Sequence, residues 1–222
     1  MIASPRVAQM QSVALGLCFA WAAVTDALGP LMTVGTVVLA WAVVGHRGRW
    51  TPQGHFGAAN VVTTIRAVLA LVVGLLPLSL AVPWAGVAVF LFFVLDGVDG
   101  TIAQRTGTAS AFGAAFDTET DALLVAIASI VVVKVGLLGP WVLVVGGLRY
   151  AYVVVTSTRI VKPEPPSRWG RWAFSAWMTA LSAALCLPHP VTVAALGLSA
   201  IGVVVSFGRS FVWAFTEGAP QR

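Results

Sequence analysis

Residues 95–124 read LDGVDGTIAQRTGTASAFGAAFDTETDALL, and everything else in the chain is best read outward from them. The stretch holds Asp96, Asp99, Asp117 and Asp121, four of the five aspartates in an otherwise strongly apolar sequence. A charged side chain at the bilayer centre costs ~2.5–3.5 kcal/mol on insertion scales, so carboxylates on membrane helices are rare and mark function. Four of them on two adjacent helical segments are a poor way to stabilise a fold. They are a good way to hold divalent cations.

The composition sets the surroundings of that stretch. Hydrophobic residues make up 59% and charged residues 9%, with a mean hydropathy of +0.92, whereas a soluble domain is about 25% charged. An all-α, polytopic integral membrane helical bundle follows, with no polar stretch long enough to build a soluble core. Arg6 is a weak positive start, but the apolar run continues far past a signal-sized core without a small-residue cleavage site, so no cleaved signal peptide is expected. The formal charge of +5 is spread over short loops rather than packed into a basic patch, which argues against nucleic acid as a partner. Cys18 and Cys186 sit in apolar runs without ligand-like spacing and read as buried free thiols.

A membrane helix needs roughly 17–25 residues, and the apolar runs come in pairs. Residues 7–44 suggest a hairpin broken at Gly29-Pro30, carrying the single charge Asp26 at its outer end. The polar segment 45–59 reads as an interfacial loop or amphipathic piece. A third helix begins near Asn60, a turn lies between Pro77 and Pro83, and a fourth helix runs from about Trp84 to Gln104. The fifth is expected over 111–138, and the sixth follows Gly139-Pro140 and includes Arg149. A proline-rich basic loop at 161–171 precedes two helices over 172–207, separated by Pro188-His189-Pro190. About eight spans result. That count collects Arg6, Arg47, Arg49, Arg66, Arg105, Arg159, Lys162, Arg168, Arg171, Arg209 and Arg222 on one side and leaves Lys134 on the other. The positive-inside rule then places both termini, and the acidic cluster, toward the cytoplasm.

Side chains three and four apart share a helix face. Asp96, Asp99, Gly100 and Ala103 therefore form one stripe, and Gly113, Asp117 and Asp121 another. The short connection between the two helices makes them expected antiparallel neighbours with facing stripes. Carboxylates without a nearby His or Cys favour hard cations such as Mg²⁺ or Mn²⁺ over zinc. Gly100, Ala103 and Gly113 leave room for a ligand. Glu119 is two residues from both Asp117 and Asp121, so it is expected on another face, solvated or turned to a loop.

The spacing D-x2-D-G-x2-A-x9-G-x3-D-x3-D, from Asp96 to Asp121, closely resembles the signature of the CDP-alcohol phosphatidyltransferases. Asn60, Thr63 and Arg66 in NVVTTIR resemble, more weakly, that family's Asn-x-x-Thr-x-x-Arg element. The resemblance implies a six-span core over residues 51–222, with residues 1–50 added as an N-terminal transmembrane hairpin. It implies an enzyme of phospholipid biosynthesis in the cell membrane, with its site facing the cytoplasm. That enzyme moves a phosphatidyl group from CDP-diacylglycerol to an alcohol or sugar-phosphate acceptor and releases CMP, using two Mg²⁺ or Mn²⁺ ions. By the same resemblance Asp96, Asp99 and Asp117 hold one ion, Asp96, Asp117 and Asp121 the other, and Asp121 is the general base. Asn60, Thr63, Gly100, Ala103, Gln104, Ser110 and Gly113 would line the donor site, and a homodimer is the family's common assembly. One departure stands out: the family has arginine directly after the alanine, where this chain has Gln104 and only then Arg105.

Several basic residues have two readings each. Arg149, near the middle of the sixth helix, either binds a phosphate or a motif aspartate in the cavity, or forms a structural ion pair or snorkels. Arg66 either reaches the diphosphate or anchors the third helix at the interface. Arg105 and Arg159 are candidates for the acceptor or its phosphate, as are Lys162, Arg168 and Arg171, against an ordinary topology signal. His46, His55 and His189 read as loop residues, and the Phe- and Trp-rich stretches as packing or lipid-facing surface. A cation transporter built on the same carboxylates is a second class of function, though no internal repeat supports it. A catalytically impaired lipid-binding relative is a third, motivated by Gln104.

Overall fold

The computed structural model describes residues 5–25, 27–76, 82–156 and 167–216, with all their side chains except those of Pro5, Asp99 and Gly100. Asp26, Pro77, Arg159 and Lys162 lie outside the described residues, as do the side chains of Asp99 and Gly100. The elements are α1 (Pro5–Thr25), α2 (Gly29–Gly45), α3 (Ala58–Leu75), α4 (Val82–Thr106) and α5 (Ala111–Lys134). A short 3-10 turn (Pro140–Val142) then runs into α6 (Leu143–Thr156), followed by α7 (Arg168–Cys186) and α8 (Pro190–Thr216). No strand occurs among the described residues.

Four helices, α1, α3, α4 and α8, are long and apolar enough to cross a membrane, while α2 and α6 are shorter apolar helices. The eight expected segments are therefore present as helices, four of them with the length and composition of a span. Large apolar side chains face outward on several of them: Leu17 and Trp21 on α1, Trp41 on α2, Ile65 and Val68 on α3, Phe90 on α4, Leu198 and Ile201 on α8. Soluble monomers do not expose apolar surface around their whole girth. Together with the four span-like helices, this surface points to an integral membrane protein.

Six helices close into a ring: α3 packs on α4, α4 on α7, α7 on α8, α8 on α6, α6 on α5, and α5 back on α3. The hairpin of α1 and α2 docks outside this ring, α1 chiefly against α6 and α2 against α5. That explains why α5 is apolar all round below its acidic turns, with Ala122 to Leu124 and Ala126 to Val132 all buried. Without a hydrophobic drive between helices in lipid, association relies on close packing of small residues. On α4 a Cβ at Gly86 would stand 2.9 Å from the carbonyl oxygen of Ser182 on α7. The Ser182 hydroxyl donates to the Gly86 carbonyl at 2.9 Å across the same contact. On α2 a Cβ at Gly35 would sit 2.6 Å from a methyl of Leu123.

The ring corrects one expectation. Helices α4 and α5 are not each other's main neighbours; each packs extensively on α3, which stands between them. The reason lies in α3 itself, whose buried stripe of Asn60, Thr63, Arg66, Ala67 and Ala70 offers polar groups and small side chains to both partners. Local stop and start signals also moved several boundaries. Helix α5 ends at Lys134 rather than near Leu138, because Gly136 takes φ 72°. The Leu137 N–H then closes on the Val132 carbonyl and the Gly136 N–H on Val133, the αL arrangement that ends many helices. Helix α7 begins at Arg168 rather than Trp172, since the Ser167 hydroxyl caps it by accepting from the Gly170 N–H at 3.1 Å. Helix α8 runs on to Thr216 through Gly208, which costs propensity without breaking the helix.

Candidate metal and nucleotide site

The segment from His46 to Gly57, expected as a loop or amphipathic piece, is an ordered set of turns. The Trp50 indole N–H donates to the Val43 carbonyl at 2.7 Å and the Thr51 hydroxyl to the His55 carbonyl at 2.7 Å. Phe56 stands edge-on to Trp50 and against Phe116, while His46 lies over Phe112. The Ser110 hydroxyl donates to the Trp50 carbonyl at 2.6 Å and accepts from the Gly113 N–H at 2.9 Å, capping α5. Across the preceding turn Gly107 takes φ 63° and the Thr108 N–H closes on Ala103. These contacts fix the start of α3, the end of α4 and the start of α5 at one end of the ring.

At that end lies a cavity of about 230 Å³. Asn60 and Thr63 from α3, Ala103 and Gln104 from α4, and Ser110, Gly113 and Asp117 from the start of α5 line it. All six of the described donor-site candidates therefore come together. Gly113 keeps the space open: a Cβ there would meet Asn60 Oδ1 at 3.1 Å and Ser110 Oγ at 3.3 Å. Asn60 Nδ2 is held by the Phe56 carbonyl at 2.5 Å, which sets the amide's orientation. Arg105 is exposed and does not line the cavity, so it does not stand in for the arginine that Gln104 replaces.

Deeper along α3, the interfacial-anchor reading of Arg66 is overturned. Its position three residues beyond Thr63 and six beyond Asn60 turns it inward, and the whole side chain is buried. The guanidinium lies over the Phe92 ring, 4.5 Å from its centroid, and donates to Asp96 Oδ1 at 2.7 Å, to Asp121 Oδ1 at 2.5 Å and to Asp117 Oδ1. One ligand oxygen from each of these three aspartates lies within 4.8 Å of the others. Carboxylates gathered this closely repel unless a cation stands among them, and here the guanidinium is that cation. Three hard oxygen donors converging on a positive charge, with no sulfur or imidazole among them, fit Mg²⁺ or Mn²⁺.

Asp121 also opens onto a second cavity of about 180 Å³ between α5, α6, α7 and α8, lined further by Arg149, Val145, Phe174, Trp177 and Phe207. Arg149 donates to Glu119 at 2.6 Å. Glu119 is thus part-exposed and turned to Arg149 on α6 rather than to a loop, since its offset from Asp117 and Asp121 aims it there. Arg149 faces this cavity, as the first of its two readings expects, but its partner is Glu119 rather than a motif aspartate, which is the ion pair of the second. Trp177 is fully buried, and among the described residues neither its indole N–H nor the Nε–H of Arg149 has a partner. Trp177 was not among the sequence candidates. Aromatic residues at 174 and 177 on a helix whose opposite side carries exposed Trp169 and Trp172 were the available signal.

Residues 56–208 match the family model described as CDP-alcohol phosphatidyltransferase, a span that takes in α3 and most of α8. No curated protein matches the chain.

Proposed function

The chain belongs to the CDP-alcohol phosphatidyltransferase family, and we propose that it moves a phosphatidyl group from CDP-diacylglycerol to an alcohol, releasing CMP, at the cytoplasmic face of a cell membrane. Family membership carries the coarser statement, a transferase of phospholipid synthesis that uses divalent metal. What supports the finer one is the convergence of Asp96, Asp117 and Asp121 between two cavities, one lined by the motif's small and polar residues and one by Asp121 and Arg149. We also infer that all eight helices cross the membrane around the six-helix ring, because α5 and α7 are full members of it.

In this reading the first cavity takes the cytidine nucleotide, with Asn60, Thr63 and Gln104 offering polar contacts and Gly113 the necessary room. Asp96, Asp99, Asp117 and Asp121 hold two divalent cations. Bound there, the cations would neutralise the diphosphate and steady the attacking and leaving oxygens of an in-line displacement. The acceptor enters through the second cavity, where Asp121 takes the proton from its hydroxyl as the new P–O bond forms and CMP leaves. The unpartnered donors of Arg149 and Trp177 orient its oxygen atoms. Excluding water is the work of Phe174, Trp177 and Phe207, since water reaching the phosphorus would hydrolyse the donor.

The test is to incubate the purified protein with CDP-diacylglycerol, Mg²⁺ or Mn²⁺ and a panel of alcohols, following CMP and weighing the lipid products. The reading requires CMP release that depends on both metal and acceptor. Metal flux in proteoliposomes without CMP would favour the transporter instead. Binding of CDP-diacylglycerol without turnover, restored by Gln104→Arg, would favour a catalytically impaired relative, for which Gln104 at the cavity wall is the specific motive.

A further inference from the structure

We propose that Arg66 is a built-in counterion of the metal site, standing among the carboxylates when metal is absent and yielding their oxygens when metal and diphosphate arrive. The proposal rests on the reading of this cluster as the metal site, and concerns how that site is loaded. Three observations carry it. The guanidinium donates to an Oδ1 atom on each of Asp96, Asp117 and Asp121, and these three residues are the ones whose oxygens converge within 4.8 Å. The side chain is fully buried and its guanidinium lies over Phe92, so it meets the carboxylates from inside the protein rather than from solvent. The three carboxylates are part-exposed although the guanidinium is fully buried, so a ligand can reach their oxygens.

Three part-exposed carboxylates gathered this closely repel one another unless a cation stands among them. The guanidinium offsets enough of that repulsion for the metal-free protein to fold. It also engages oxygens that a cation must coordinate, and a fixed positive charge a few ångströms away repels a dication. Metal binding and the Arg66 contacts therefore oppose each other. A nucleoside diphosphate reverses the sign: its oxygens accept the guanidinium donors, freeing the carboxylates for metal. Metal and diphosphate should thus bind with positive coupling, and by linkage each strengthens the other equally.

The experiment measures Mn²⁺ binding by calorimetry to the purified full-length protein, alone and with CDP, for wild type, Arg66→Gln and Arg66→Lys. In wild type, CDP should tighten Mn²⁺ about tenfold or more, within the usual range of coupled sites. Arg66→Gln should bind Mn²⁺ alone about tenfold more tightly and lose most of the coupling, with Arg66→Lys between. Equal or weaker Mn²⁺ binding by Arg66→Gln overturns the proposal. If that variant fails to fold, the wild type still decides: stripping metal with EDTA should barely move its Tm, because the counterion remains. A large drop would mean that metal, not Arg66, balances the carboxylates. No readout here needs turnover, so failure of this inference is separable from failure of the transferase reading, which CMP release alone decides.

Discussion

Among the described residues two arginines, Arg66 and Arg149, reach into the interior of the six-helix ring, and they are surrounded differently. Arg66 on α3 is fully buried and meets three carboxylates, whereas Arg149 on α6 is 27% exposed and meets Glu119. The second arrangement is neutral and nearly self-sufficient, as a fold-stabilising pair should be. The first gathers oxygens from three aspartates on one buried guanidinium, and that convergence makes it the candidate metal site. Where carboxylates converge is therefore more informative than noting that ion pairs exist.

The contrast can be broken most severely at Asp121 and Asp117. Asp121→Ala, and separately Asp117→Asn, should lower CMP release by about a thousandfold while leaving the protein foldable, since positioned acid–base groups are worth ~10²–10⁴-fold. Wild-type-like turnover in either would refute the assigned roles. Removing Arg66 should also cost stability: Arg66→Ala leaves three part-exposed carboxylates without this cation, a loss below the about 3–5 kcal/mol of a fully buried pair. Chemical denaturation in detergent, without metal, checks this, and Mn²⁺ should recover much of the loss.

At the other arginine the effects should be smaller and of another kind. Glu119→Gln should change stability by less than about 1 kcal/mol, because the pair is partly exposed and screened. Arg149→Gln should raise KM for the acceptor severalfold and spare KM for CDP-diacylglycerol, a split read from steady-state CMP release. The smallest change concerns the first cavity, where Gly113→Ala sets a methyl 3.1 Å from Asn60 Oδ1. Neighbours can shift by a few tenths of an ångström, so binding of CMP should weaken by about threefold to tenfold, measurable by calorimetry.

Much of this was legible in the chain. The apolar runs and their Gly-Pro breaks mark all eight helices, and the D-x2-D-G to D-x3-D spacing marks the site, because helical periodicity places those groups without tertiary knowledge. What local spacing could not show was which helix stands between α4 and α5, since α3 earns that place through contacts distant in sequence. The clue was present nonetheless: Asn60, Thr63 and Arg66 recur every three residues on an otherwise apolar helix, and polar groups in register there point inward. The early start of α7 was hidden by the prolines before it, which outweighed the quieter signal of Ser167 as a cap. Glu119 was misread because facing away from the motif aspartates does not mean facing water when a sixth helix is packed there.

The most direct test is a structure of the protein soaked with Mn²⁺ and CDP, with manganese located by its anomalous scattering. The account predicts manganese coordinated by Asp96, Asp117 and Asp121, with the Arg66 guanidinium turned from those oxygens to the diphosphate. Manganese bound elsewhere, or a nucleotide bound while Arg66 keeps all three carboxylates, would contradict it.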